Sequence, residues 1–264
     1  MSLPLSSPAN PSVNTNRILH GTFAVRGGLP VEHGTFSLDG VSSPGSPIRL
    51  DFLDPAGSMT GKLLPTGLPT ETVTIPSGTY RVSCVDAANP FIFVSAEDLG
   101  LAGSESVAEL HERVGATVME IRAVMAVRMG LATSPEAARL VMGTPKVAIV
   151  GRAKDYTASS GKFVEAESTD IWVRAYSMGR PHPSIPMTGA VCVGAAASIP
   201  GTLVHSIVSS VVRSDAVNIG HAGGTMAVTG RSRVEGDQVV VECGSVYRTA
   251  RRIMEGRVMY LAAE

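Results

Sequence analysis

The sequence has little cysteine, few aromatic residues and almost no net charge. Only three of its 264 residues are cysteine. Cys84, Cys192 and Cys243 are too widely separated for a CxxC pair or the Cys/His spacing of a zinc site. An odd number cannot all pair within one chain, which points to buried free thiols in a reducing compartment. Aromatic residues make up 5%, with a single tryptophan. Lys and Arg number 22 against 23 Asp and Glu, leaving a net charge of −1. That balance gives no electrostatic case for nucleic acid or an anionic membrane as partner. Long hydrophobic runs are also missing: the most apolar window, Met187 to Pro200, is too short and too rich in small residues to cross a bilayer. The opening MSLPLSSPANPSVNTN lacks the basic and apolar regions of a signal peptide. A soluble, cytoplasmic protein is therefore expected. No tandem repeat, nucleophile elbow or His/Asp/Glu metal cluster stands out. GSMTGK at 57–62 is not a phosphate-binding P-loop, because the spacing is wrong and Leu63 follows the lysine.

What is present is a globular composition, 44% hydrophobic and 17% charged, with 28 glycines and 17 prolines. Many turns between short apolar runs predict a strand-rich fold. Residues 1–16, rich in Ser, Pro and Asn, read as a disordered lead-in. Alternation at Ile18, Phe23, Val25 and at Phe36, Leu38 predicts half-buried strands. Further strands are expected at Thr72–Ile75, Tyr80–Val85, Phe91–Ser95, Val147–Val150, Ile171–Ala175, Met226–Gly230 and Val239–Glu242, with a closing strand at Val258–Leu261. Val107, Leu110, Val114, Val118, Ile121 and Met125 recur at three- and four-residue spacing and predict a helix from Ser104 to Gly130. A second helix is expected from Pro135 to Met142, capped by Ser134. GAVCVGAAAS at 189–198 is small and apolar on every side, as a helix buried in the middle of a core must be.

Three stretches carry residue types suited to binding an acid. SMGRPHPSIPMTGA (177–190) leads into the buried helix, whose first N–H groups and dipole favour a carboxylate or oxyanion. Thr188 either adds a hydroxyl donor there or simply caps the helix. His182, held between Pro181 and Pro183, either donates to an anion or makes a structural hydrogen bond. In DAANPF (86–91), Asn89 is held extended by Pro90, and its amide either meets a carboxylate or caps a turn. Lys62, among the hydroxyls and glycines of 54–67, suits a polyanion or is a solvated surface lysine.

The order of these stretches resembles the PrpF family of 2-methylaconitate cis–trans isomerases and 4-oxalomesaconate tautomerases. The likeness is carried by DFLDPAGSMTGKLLPTG (51–67), VDAANPFIFVSAEDLGLAGSE (85–105), VRAYSMGRPHPSIPMTGAVCVGAA (173–196) and YRTARRIMEG (247–256), and runs from about Val13 to the C-terminus. It implies an α/β (α+β) fold similar to diaminopimelate epimerase, with mixed sheets wrapped around a buried central helix. One complete domain (83–245) and part of another (17–82 with 246–264) are expected. It implies a cofactor-free isomerase shifting a proton and double bond in small unsaturated di- or tricarboxylic acids, without metal. Lys62, Asn89, His182, Thr188, Gly189 and Ala190 are then the expected substrate-binding residues. The epimerases carry a catalytic cysteine two positions before the matching threonine; Pro186 stands there, which argues against a two-thiol racemase. The family's acid/base lysine and cysteine lie in a segment with no counterpart here, so the catalytic residues are unassigned. The incomplete first domain is expected to drive dimerisation or aggregation through 17–82. The alternative is a non-catalytic acid-binding protein or an accessory to an aconitase-type dehydratase.

Overall fold

The computed structural model describes residues 5–12, 17–209, 216–236, 238–257 and 259. In chain order the first strands are β1 (Leu5–Ser6), β2 (Ala9–Pro11), β3 (Ile18–Arg26), β4 (Leu29–Pro30) and β5 (Ile48–Leu53). Then come β6 (Glu71–Ile75), β7 (Gly78–Ala87) and β8 (Asn89–Ser95), followed by helices α1 (Val107–Arg128) and α2 (Pro135–Leu140). The middle of the chain forms β9 (Lys146–Gly151), β10 (Tyr156–Thr157), β11 (Phe163–Val164), β12 (Ile171–Ser177) and β13 (Arg180–Pro181). Helices α3 (Met187–Ala197) and α4 (Leu203–Val208) lead to β14 (Ala216–His221), β15 (Gly224–Glu235) and β16 (Gln238–Arg248).

Apart from the β10–β11 ribbon, these strands join in one sheet, whose main path runs β1-β3-β5-β16-β15-β14-β12-β9-β8-β7-β6. It is mixed. β8 pairs with β9 in parallel across the α1 crossover, and β12 pairs with β14 in parallel across α3 and α4; the other pairs along the path are antiparallel.

The central strands are buried on both faces, as crossover strands covered by helices are. Alternate side chains of β8 go to different cores. Phe91 and Phe93 join the cluster around α3, while Ile92 and Val94 join the cluster under α1. β9 divides the same way, with Ala148 and Val150 on the α3 side and Val147 and Ile149 on the α1 side. α1 obeys its sequence pattern: Leu110, Val114, Val118, Ile121 and Met125 are all buried. Its cap is Ser106 rather than Ser104, in a capping box with Glu109. Gly130 (φ 74°) ends it: Leu131 N–H bonds Ala126 and Gly130 N–H bonds Val127, the Schellman arrangement.

Several expectations change. Residues 5–12 are not an unstructured lead-in: β1 and β2 pair with β3. Residues 1–4 and 13–16 lie outside the described residues. Phe36 and Leu38 do not form a strand; Phe36 makes only an isolated bridge to Gly45, and the segment is pinned from elsewhere. Asp39 accepts from Thr225 N–H, Thr225 Oγ1 and Lys162 Nζ, a long-range tether that local alternation does not encode. The domain boundary expected at 82/83 falls inside β7, whose two neighbours are β6 and β8. The expected closing strand at Val258–Leu261 lies outside the described residues, apart from Met259, which has no regular structure.

Candidate active site

Asp86, fully buried near the end of β7, organises the segment that precedes it in sequence. Its carboxylate accepts from Ser58 Oγ, Met59 N–H (2.9 Å), Thr60 N–H (2.7 Å) and Thr60 Oγ1 (2.8 Å). The backbone adds Gly57 N–H to Asp86 O, Asp86 N–H to Leu63 O and Ala88 N–H to Pro55 O. Gly57 sits at φ 64°, and a Cβ there would lie 2.6 Å from the Gly61 carbonyl carbon, so no other residue fits this turn without rearrangement. The loop of 54–63 is thus laid against the apex of the β7–β8 hairpin, where Ala88 takes a left-handed conformation at φ 63°. Asn89 follows, partly buried, and its Oδ1 has no partner among the described residues.

Beside this apex begins α3. Pro186 is its N-cap and offers no side-chain cap. Its first helical bond is donated by Ala190 N–H to Pro186 O at 3.0 Å. The N–H groups of Met187, Thr188 and Gly189 lie ahead of that first bond and have no intrahelical acceptor. This corrects the expected donor set by one residue: Ala190 is fully buried with its N–H spent, whereas Thr188 and Gly189 keep theirs. Gly189 packs on Phe91; a Cβ there would come within 2.6 Å of the ring.

A cavity of about 230 Å³ opens at this helix end, lined by Arg17, Phe52, Pro55, Ala88, Met187 and Thr188 among others. Arg17 gives one guanidinium N–H to Ala56 O at 2.8 Å, which orients its head at the cavity. It was absent from the sequence-based candidates because the local sequence VNTNRIL marks it in no way; only the β3–β5 pairing brings it opposite α3. The cavity therefore joins a cation, a hydroxyl and a helix N-terminus, a combination suited to a carboxylate.

The other predicted residues are placed differently. Asn89 adjoins the lining residue Ala88 but is not itself part of the wall. Lys62 is exposed on the Asp86-held loop, its N–H donated to Thr60 Oγ1, and does not line the cavity. His182 does not line it either. Its Nδ1 accepts from Ser184 N–H (3.1 Å), and burial, aided by the charges of Lys146 and Arg248, holds its pKa below the usual imidazole value. It is therefore a neutral ring at pH 7, with its proton on Nε2. The three cysteines are buried and unpaired, and burial pushes the Cys84 and Cys192 thiols up, so neither supplies a thiolate. No trio of His, Cys, Asp or Glu arranged to hold a metal is found among the described residues. No helix of the described residues is long and apolar enough to cross a membrane.

This fold has known counterparts. The family model described as PrpF protein matches residues 4–261. The 2-methyl-aconitate isomerase of Cupriavidus necator is 38% identical over 93% of this chain and 63% of its own length. The 3-methylitaconate isomerase of Eubacterium barkeri is 35% identical over 97% of this chain and 67% of its own length. A crystal structure of methylitaconate-delta-isomerase superposes with a TM-score of 0.86 at 34% identity, covering 98% of this chain and 67% of that one. A hydroxyproline epimerase from Agrobacterium vitis, at 12% identity and a TM-score of 0.54 over 95% of this chain and 60% of that one, shares the fold. The chain thus spans under two thirds of the length of the Cupriavidus relative. With the family model matched from residue 4 to residue 261, the chain belongs to the PrpF family.

Proposed function

We propose that the protein is an isomerase of small unsaturated di- or tricarboxylic acids, working without a cofactor in the cytoplasm, and that this chain forms the cradle for a substrate carboxylate. The observation that carries the reading is the cavity at the start of α3, lined by Arg17, Met187 and Thr188 at a helix end whose first N–H groups precede the first intrahelical bond. The names of its relatives supply the substrate class: 2-methylaconitate, 3-methylitaconate and, for a Novosphingobium sp. (strain KA1) protein 29% identical to this chain, (4E)-oxalomesaconate.

The chemistry that fits is a proton shift across an allylic system. A base takes a proton from the carbon next to the conjugated unit, and an acid returns one two carbons away. The species between is a dienolate, whose charge spreads onto the carboxylate. Donors fixed before the reaction stabilise that charge without having to reorganise, an effect of about 3–4 kcal/mol for one well-placed oxyanion donor. The described cavity wall contains no carboxylate, thiol or imidazole, so its part in this reaction is binding and charge stabilisation. The test is proton NMR in heavy water with 2-methylaconitate, 3-methylitaconate and 4-oxalomesaconate. Deuterium entering the allylic positions at a rate proportional to protein supports the reading. Binding of these acids with no exchange would reduce it to a binding protein, and no binding would end it.

A further inference from the structure

A second cavity lies at the other end of the strands that carry the candidate active site. Asn89 and Ser95 bound β8, and six residues of extended strand separate them by about 20 Å. At the Ser95 end the parallel pair β8–β9 stops, with Ala96 N–H still bonded to Val150 O. In open, mostly parallel α/β sheets ligands bind in the crevice beyond the C-terminal strand ends, and the β8–β9 pair leaves such a crevice beyond its own end. Here it is a space of about 500 Å³, within the range that holds a small organic molecule.

Its walls differ in character. One side is apolar: Ala96, Leu101, Val150, Leu203 and the Trp172 ring. The indole is fixed from behind by Arg174, whose guanidinium lies 4.3 Å from the ring centre. The Trp172 indole N–H is buried and without a partner among the described residues, beneath Gly103, which also lines the space. The other side is basic. Arg81 is neutralised by Asp98 and Glu97. Arg152 and Lys154, also in the wall, are exposed and form no ion pair among the described residues. Two uncompensated cations over an aromatic and aliphatic floor select a molecule with a charged end and an apolar body.

We propose that this cavity is a second binding site, separate from the carboxylate cradle, for a small organic anion whose carboxylate or phosphate meets Arg152 and Lys154 and whose apolar part lies against Leu101 and Leu203, above the buried Trp172. Trp172 is the only tryptophan in the chain and lines this cavity, so its fluorescence is the signal that a ligand there would change. The protein is titrated with cyclohexanecarboxylate and with cyclohexyl phosphate at matched ionic strength, with inorganic phosphate and cyclohexanol as controls. Calorimetry accompanies each titration, to catch binding that leaves the emission unchanged. Saturable binding of one anion over the other identifies the head group, and the two controls should bind far more weakly. The Arg152→Gln/Lys154→Gln double variant should weaken binding by about tenfold or more. Ser206→Phe, which places a ring in the cavity mouth from α4, should abolish it. Thr188→Val should leave it unchanged. No saturable binding, equal binding of cyclohexanol, or equal affinity in the double variant would each overturn the proposal. Loss of binding in Thr188→Val would assign the ligand to the cradle at α3 instead.

Discussion

Asp86 and Gly189 show how single residues hold the cradle in shape, and each makes a distinct prediction. The four donors on Asp86 come from three consecutive residues of the loop, Ser58, Met59 and Thr60. Asp86→Asn replaces an acceptor by an NH₂ group and sets donor against donor. It should cost about 3 kcal/mol in urea unfolding, in line with hydrogen bonds to a buried charge, and should expose Lys62 to trypsin. Unchanged stability would mean that the loop is held by its backbone bonds. Gly189→Ala forces a methyl group into the Phe91 ring and should cost about 1–3 kcal/mol, the usual penalty for overpacking. Thr188→Val is the complementary change: its side chain faces the cavity, so dicarboxylate affinity should fall by about 1 kcal/mol while the melting temperature barely moves. His221 adds a pH dependence. It is fully buried, its Nδ1 accepts from Gly223 N–H, and burial pulls its pKa from 6.5 to about 4. Between those values the unfolded chain binds the proton and the folded chain does not, so stability falls as pH drops from 6.5 toward 4. The loss approaches about 3 kcal/mol. His221→Gln should flatten that part of a stability–pH profile, and an unchanged slope would place the titration elsewhere.

At the scale of elements, what the sequence made legible was whatever its neighbours in the chain determine. α1 carries its own stripe and stop signal, and Ser106→Ala should cost it about 1 kcal/mol, the usual worth of an N-cap, measurable by thermal melting. α3 was legible because small apolar residues on all sides admit no solvent-facing side; its start was misjudged by two residues because Pro186, with no capping side chain, takes the N-cap place. That shift moved the free donors from Thr188–Ala190 to Met187–Gly189. α4, six residues long, was missed: LVHSIV has too few turns to show a period, and its cap, in which His205 N–H donates to Thr202 Oγ1, is the only local sign. β15 runs well past the segment expected, because its outer half is a polar ribbon in which Arg231 and Arg233 pair with Glu242 rather than an alternating pattern; β16 continues through Cys243–Arg248 because that stretch pairs with both β15 and β5. Of the site, the turn and helix were readable, while Arg17 was not, since its position depends on a pairing between β3 and β5 that no local signal records.

Over the whole molecule, the question is whether the chain holds one cooperative unit or two. The expected partial domain takes residues 17–82 as the later strands of a first domain, to which the segment after residue 245 returns. β5 pairs with β16 over six residues, from Cys243–Leu53 to Arg248–Ile48, so the returning segment is one strand with the end of the expected second domain, and Phe52 is buried in the same core as Val191 and Val246. Leu19 and Leu50 pack on that core from β3 and β5. The hydrogen bonding is therefore continuous from β3 across to β6, and no surface of separation falls near residue 82. Such a sheet should unfold in one step, with the peripheral loops as its weak points. Trypsin should cut first at exposed sites outside the sheet's centre, after Arg26 at the end of β3 and after Arg251 or Arg257 in the irregular segment beyond β16. The product that persists should contain β5 through β16, with Arg81 protected within β7 and by its bonds to Asp98. The fragments can be read by intact mass spectrometry during a short digestion. Early cleavage after Arg81, with β8–β16 surviving alone, would restore the division at 82/83 and show that the β5–β16 ladder is too weak to bind the two parts into one.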